Sequence, residues 1–246
     1  RAIQSNRFAP CEQMCKLCFA MTWLTLWQGR WILLVLAAAT AAALFLAPWL
    51  VILPAALLAF TLWFFRDPPR TVPRGAGLIV SPADGRVTDI AEIEETELVN
   101  RTVRRIGIFL SVFDVHVNRT PADCRVVYTA EFEGTYHDAR SPAASTHNTA
   151  RTWGFECPDG VILVVRQITG AIARRIVPWA RPDQQLARGE RFGMIRFGSR
   201  TEICLPLGAE VTVRVGDQVK GGSTIIARLA PAGETDADLR PPSDLR

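Results

Sequence analysis

Between Trp31 and Phe65 the chain carries no charged residue. The run reads WILLVLAAATAAALFLAPWLVILPAALLAFTLWFF, with Pro48 dividing it into two pieces of 17 residues, 31–47 and 49–65. As one helix it would be about 50 Å long, well beyond a hydrocarbon core of about 30 Å. Each half alone is near the short limit for a span. Basic residues flank both ends, Lys16 and Arg30 before it and Arg66, Arg70 and Arg74 after it. Under the positive-inside rule both ends prefer the cytoplasm. The pattern predicts a membrane helical hairpin over 31–66, two short spans or a re-entrant wedge turning near Pro48. A single tilted span is the alternative, and a cleaved signal peptide fits less well because the run exceeds an h-region. Trp31, Trp49 and Trp63 are placed to sit at interfaces.

Past the proline-rich joint RDPPRTVP the pattern changes to short β-branched runs punctuated by Gly, Pro and Asp. LIVSP, RRIGIFLSV, RVVYTAEFE, GVILVVRQI, RFGMIRFG, TEICLP and STIIARL are examples, and such spacing predicts a mainly β domain over 67–230. A short helix is expected around 170–177, and the stretch holding His137 and His147 reads as a loop. The runs RFGMIRFG and SRTEICLP meet at Gly198-Ser199 in what reads as a hairpin turn. Two segments share the form Q-[LV]-x-x-G, residues 185–189 and 218–222. With the turn SPADGRV (81–87) they follow the hairpin grammar of lipoyl-type modules. The fold class expected is therefore mainly β (α+β), a barrel-sandwich-like domain behind the hairpin. Residues 1–30 read as a disordered leader and 231–246, rich in Pro, Asp and Glu, as a disordered tail.

Charge narrows the partners. The net charge of +4 is carried almost wholly by arginine, the only lysines being Lys16 and Lys220. A modest basic excess suits an anionic membrane surface. No aromatic-basic interleaving marks a nucleic-acid partner. Three of the six cysteines, Cys11, Cys15 and Cys18, form a C-x3-C-x2-C cluster of the type that opens radical enzymes. No strand–helix repeat of such a barrel follows, so a non-functional leader is preferred. Cys124, Cys157 and Cys204 are scattered and read as buried thiols in a reducing compartment.

The candidate chemistry is sparse. Of three histidines, His116 lies in FLSVFDVHVNRTP. If 108–117 is one strand, Asp114, His116 and Asn118 share a face opposite Phe113, Val115 and Val117. That face is either a site or a solvated strand surface. Asp84 in SPADG is a further carboxylate, with turn-making as its ordinary role. No metal-ligand spacing, G-x-S-x-G elbow or Walker loop is present, and no metal is expected. Ser199 is the best nucleophile. It follows the unshielded carbonyl of Gly198, so its hydroxyl can attack that carbonyl and convert the amide to an ester, given a base and oxyanion donors. β-Elimination and hydrolysis then leave a pyruvoyl group, a carbonyl able to form a Schiff base with an amine and act as an electron sink. Two lysines in doubtful positions make a lysine-bound pyridoxal enzyme unattractive.

These residues resemble the short bacterial form of the phosphatidylserine decarboxylase family. The resemblance is carried by FFRDPPR (64–70), SPADGRV (81–87), FLSVFDVHVNRTP (109–121), QITGAIARRIV (167–177) and RGERFGMIRFGSRTEICLP (188–206), in the family's order over most of 60–230. It implies self-cleavage between Gly198 and Ser199, Ser199 becoming the pyruvoyl cofactor and the two fragments remaining a heterodimer. It implies that Asp84 and His116 assist serine attack, that His116 returns the proton in decarboxylation, and that phosphatidylserine in the membrane is the substrate. Longer members carry a second histidine where this chain has Arg119, and arginine is no base at neutral pH. Either His116 then serves twice, or another group such as His147 supplies the base. The junction reads F-G-S-R rather than L-G-S-T, and Arg200 either steers a lipid phosphate or carboxylate or is a solvated strand residue. Asp114, Arg119, His147 and Arg200 are the possible substrate contacts. The location implied is the inner membrane, cytoplasmic side, with a homo-oligomer left open. The rival of another class is a membrane-anchored lipoyl-like adaptor without catalysis.

Overall fold

The computed structural model describes residues 22–171, 175–196 and 199–229. The cysteine cluster at 11–18, Gly198 and the tail 231–246 lie outside them. The chain divides into two compact units, Arg1–Pro69 and Arg70–Arg246.

In the first unit a helix, α1 (Trp23–Leu46), leads through a short 3-10 turn (Pro48–Leu50) into a second helix, α2 (Ile52–Phe64). The break falls at Pro48, which has no N–H to continue the ladder. Helix α1 begins eight residues before the uncharged run, taking in Gln28 and Arg30. At 24 residues it is about 36 Å long, and it is the one described helix long and apolar enough to cross a membrane. The 13 residues of α2 reach about 20 Å. The two helices meet at Gly29, which lies directly under the Phe65 ring. A Cβ there would strike that ring, so close approach requires glycine. Most of the remaining apolar surface is bare, with Phe45 and Leu46 88% and 85% exposed.

The second unit is built from antiparallel strands. Eight of them form one curled sheet in the order β13 (Gln218–Val219), β2 (Gly85–Glu95), β3 (Arg101–Leu110), β11 (Ser199–Leu205), β7 (Ile162–Thr169), β6 (Ala150–Glu156), β5 (Cys124–Phe132), β9 (Gln185–Leu186). A three-stranded sheet of β4 (Val117–Arg119), β10 (Arg191–Arg196) and β8 (Arg175–Pro178) packs on it. There Phe192 of β10 meets Trp153 and Phe155 of β6 edge-on, at 5.4 and 5.1 Å between ring centroids. A third sheet joins β1 (Leu78–Val80), β14 (Ile225–Arg228) and β12 (Glu210–Val211). The large core includes Ile106, Ile108, Leu163, Val165 and Ile203. A smaller cluster of Leu98, Val99, Val103, Val164 and Cys204 packs separately. Strand β11 contributes to both, and all seven of its residues are buried.

The mainly β class is what the pattern predicts, and the repeated Q-[LV]-x-x-G segments have a physical meaning. Their first two residues form β9 and β13, the two edge strands of the large sheet. Their closing glycines, Gly189 and Gly222, both take positive φ (+77° and +74°) and lie against each other.

Three local expectations fail. The segment Arg175–Pro178 is a strand, not part of a helix, because its register against β10 buries Ile176 on Ile195. A short helix, α3 (Pro142–His147), stands where a loop was expected, capped by Ser141. Strands β10 and β11 are not hairpin partners. β10 pairs with β4 and β8, whereas β11 pairs with β3 and β7, so the chain passes from one sheet to another across residues 197–198.

Candidate active site

The turn SPADG is set by local chemistry. Ser81 Oγ donates to the Ala83 carbonyl at 2.6 Å, folding the chain back on itself. Gly85 follows at φ +146°, and a Cβ there would overlap the Phe109 carbonyl. This geometry presents Asp84 to two donors, Arg70 NH2 at 2.9 Å and the Gly221 N–H at 2.8 Å. Burial pushes the Asp84 carboxyl above the usual carboxylate range, against the pull of Arg70 and Gly221. The nearby charge of Asp114 adds to the rise and ties Asp84 electrostatically to the His116 loop.

The sequence 108–117 is not one strand. β3 stops at Leu110, and a turn over 111–114 follows, in which Asp114 Oδ2 accepts from the Ser111 N–H and Oγ (2.9 and 2.8 Å). Period-two alternation therefore does not carry Asp114 and His116 onto a common strand face. Asp114 is a turn-former that also receives Gln218 Nε2 at 3.3 Å. His116 is fully buried, and its Nδ1 lies 3.0 Å from the Asp114 carbonyl oxygen. That oxygen can only accept, so the geometry assigns the Nδ1 proton and leaves the lone pair of the neutral ring on Nε2.

Ser199 opens β11, opposite Leu110 on one side and Thr169 on the other. It is fully buried, and its Oγ has no hydrogen-bond partner among the described residues. A buried hydroxyl without a partner costs about 1–3 kcal/mol, so packing alone does not account for a serine at this position.

A buried polar chain draws these segments together. Asn118 Nδ2 donates to the Pro82 carbonyl (3.2 Å) and to Thr201 Oγ1 (3.1 Å). Its Oδ1 accepts from Gln167 Nε2 at 2.8 Å, and Gln167 Oε1 accepts from the Trp153 indole at 2.8 Å. The Arg119 N–H also bonds the Pro82 carbonyl, at 2.9 Å. One side chain thus ties the Asp84 turn, the strand two residues after His116 and the strand two residues after Ser199. The sequence marked Asn118 only as a neighbour of His116. Gln167 and Thr201 were missed, although a glutamine closing the apolar run VILVVRQ is a visible signal.

The other proposed contacts are placed differently. Arg200 is neither solvated nor open to a substrate. Only 4% exposed, it is held by Asp89 Oδ2 at 2.5 Å, Glu202 Oε1 at 2.7 Å and Thr88 Oγ1 at 2.8 Å, its guanidinium passing over Gly107. Arg119 is buried as well. Its guanidinium donates to the Gly189 carbonyl at 2.9 Å and its stem lies on Gly222, so it clamps the two repeat turns. His147 is exposed on α3, with Nδ1 near its own Thr146 Oγ1 (2.7 Å) and Ala143 carbonyl (3.2 Å). The thiols of Cys124 and Cys204 are pushed up to about 12 by burial, as inert core cysteines are, and that of Cys157 is raised too.

A profile of the family described as phosphatidylserine decarboxylase matches residues 57–227. A protein of Symbiobacterium thermophilum named phosphatidylserine decarboxylase proenzyme is 46% identical over 71% of this chain and 81% of its own length. A protein of the same name from Carboxydothermus hydrogenoformans is 43% identical over 82% of this chain and 95% of its own. Another, from Nitrosomonas europaea, is 42% identical over 75% and 86% respectively. The match takes in the Asp84 turn, the His116 loop and the Ser199 strand together, and the chain belongs to the phosphatidylserine decarboxylase family, a family of carboxy-lyases.

Proposed function

We propose that this chain decarboxylates phosphatidylserine to phosphatidylethanolamine, using a pyruvoyl group formed at Ser199 by cleavage of its own Gly198–Ser199 bond. The observation that carries this reading is the buried Ser199 Oγ without a hydrogen-bond partner, at the head of a strand bonded on both sides. A hydroxyl that attacks the preceding carbonyl and departs with it as a carboxylate oxygen needs no permanent partner, so the position fits a residue that becomes such a group. The flanking backbone at Leu110 and Thr169 would hold it. When formed, the group supplies an electron sink for the carbon dioxide lost from an amino acid carboxylate.

The chain's own residues then divide as follows. Ser199 Oγ attacks the Gly198 carbonyl and the peptide becomes an ester. The serine proton passes to His116 Nε2, the lone-pair nitrogen, with Asp84 as the second carboxylate in reach of that loop's field. Elimination leaves Gly198 as a carboxylate, and one water enters while one ammonia leaves. Arg119, standing where longer relatives keep a histidine, is committed to the Gly189 carbonyl. His116 therefore serves both steps, first as base and later as the donor that returns a proton to the substrate Cα from Nε2. Ser199 and His116 are both fully buried, which keeps bulk water from the reacting atoms beyond the one molecule that the hydrolysis consumes. The apolar helices of the first unit hold the enzyme in the inner membrane, catalytic domain on the cytoplasmic side, where both lipids reside.

A denaturing gel tests the reading. The wild type runs as pieces of 198 and 48 residues, counted from the Gly198–Ser199 bond, while Ser199→Ala stays whole and releases no carbon dioxide from phosphatidylserine. Activity in an uncleaved chain would overturn it, and a chain that neither cleaves nor releases carbon dioxide would favour the adaptor without catalysis.

A further inference from the structure

Cleavage takes away part of what holds residue 199. When its backbone nitrogen departs as ammonia, the residue loses both the chain before it and its own N–H donor. A chain end frays unless something ties it down. A reacting group displaced by about 1 Å can cost about a hundredfold in rate. The next residue, Arg200, is then the first of the 48-residue piece with an intact backbone amide.

Arg200 pairs with Phe109 of β3 and Ile168 of β7. By period-two alternation its side chain leaves β11 on the face opposite Ser199 and Thr201, so it acts on the site only through the strand. The three nitrogens of its guanidinium each bond a different acceptor. Nε donates to Glu202 Oε1 at 2.7 Å, Nη1 to Thr88 Oγ1 at 2.8 Å and Nη2 to Asp89 Oδ2 at 2.5 Å. Thr88 and Asp89 belong to β2, and β3 lies between β2 and β11. The guanidinium crosses β3 at Gly107, where a Cβ would overlap it. Its acceptors are themselves held. Asp89 Oδ1 accepts from Arg105 Nη2 at 3.0 Å, and Glu202 Oε1 accepts from Ser145 Oγ of α3 at 2.6 Å. Thr88, Asp89, Arg105 and Ser145 all precede the cleavage point, so this network bonds the second residue of the small piece to the large one. We propose that Arg200 is a positioning residue for the reaction, a strut from β11 across β3 to β2 that keeps residue 199 in place once the chain before it is cut. This rests on the reading of Ser199 given above. A lysine keeps the charge but has one nitrogen, and it cannot reach three acceptors that the arginine fork meets in one plane.

The test uses the full-length protein in detergent, cleaved, beside an uncleaved Ser199→Ala counterpart of every variant. Hydrogen exchange of the segment 200–205, followed by mass spectrometry, reads the opening of β11 without any turnover. In cleaved Arg200→Gln the exchange should quicken by about ten- to a hundredfold, the worth of one charged hydrogen bond. In the uncleaved Arg200→Gln chain it should change far less, because the preceding residues still tether the strand. The cleaved variant should also lose kcat on phosphatidylserine by a similar factor, per cleaved molecule, with KM little changed. Arg200→Lys should recover only part of either loss. Arg104→Gln, the same charge change on an arginine paired with Glu92 near the far end of β3, should alter neither. Exchange that is unchanged, or raised equally in the cleaved and uncleaved chains, would overturn the strut, and so would full recovery in Arg200→Lys. Should Arg200→Gln fail to fold or to cleave, Asp89→Asn decides. It removes one charged acceptor from a half-buried position, and the same cleaved-against-uncleaved difference is expected at a few-fold. A wild type that neither cleaves nor releases carbon dioxide would instead sink the reading of Ser199.

Discussion

At the scale of single residues, the site is a set of groups whose ordinary roles have been withheld or reassigned. Ser199 has a hydroxyl with nothing to bond, whereas Arg200 beside it makes three short contacts. Asp84 is poised between burial, which favours its neutral form, and Arg70, which favours its charge. A carboxyl whose folded pKa lies above the unfolded value binds its proton more tightly when folded. Its contribution therefore favours folding at low pH and diminishes as pH climbs past about 4. Removing Arg70 takes away a charge that lowers this pKa, so the carboxylate forms only at higher pH. In Arg70→Gln the acid limb of the self-cleavage rate should move upward relative to the wild type. The course of cleavage on gels across a pH series reads this directly. An unmoved limb would mean that Asp84 is not the group that must ionise.

Among the elements, the deciding feature is the polar chain Trp153–Gln167–Asn118–Thr201, which fixes β4 over β11. Gln167→Leu would leave the Trp153 N–H and the Asn118 carbonyl oxygen buried and unsatisfied, about 1–3 kcal/mol each. At about 2–4 °C per kcal/mol for a domain of this size, the melting temperature should fall by several degrees. Self-cleavage should slow in the same variant, because Asn118, which ties the His116 and Ser199 segments, loses the bond that orients its amide. A melting point and cleavage rate equal to the wild type would deny the chain that role. His147 makes the contrasting case, its Nδ1 engaged within α3. His147→Ala is expected to cleave at the wild-type rate on the same gels, and a chain that stays whole would return His147 to the position of base. These elements also show what was legible in the sequence. Strand content, the Pro48 break and the choice of Asp84, His116 and Ser199 as candidates follow from local pattern, turn chemistry and motif. The contacts of Arg200 and Arg119 depend on Asp89, 111 residues away, and on Gly189, 70 away. No local window carries such pairings. For the same reason a Gly-Ser junction between two strands looked like a hairpin although its strands belong to different sheets.

On the scale of the whole molecule, cleavage at 198/199 would cut the fold through its middle rather than trim an end. The piece that starts at Ser199 contains β11, which lies between β3 and β7 of the other piece and is hydrogen-bonded to both along its length. It also carries β13, which pairs with β2, and β14, which pairs with β1. The side chain of Ile203 enters the large core and that of Cys204 the smaller cluster, so separation would expose both. A central strand buried on both faces cannot leave without unfolding its neighbours, and the free energy of its release approaches that of the whole domain. The two pieces should therefore co-elute from a sizing column in mild detergent and separate only at denaturant concentrations that also abolish the β signal in circular dichroism. Recovery of the 48-residue piece alone from native protein would show that β11 is held far more weakly than its two-sided pairing requires. The arrangement would also let cleavage and activity coexist. A new N-terminus at residue 199 would be created inside a sheet already formed, where Leu110 and Thr169 pair with it on either side and would keep it in register.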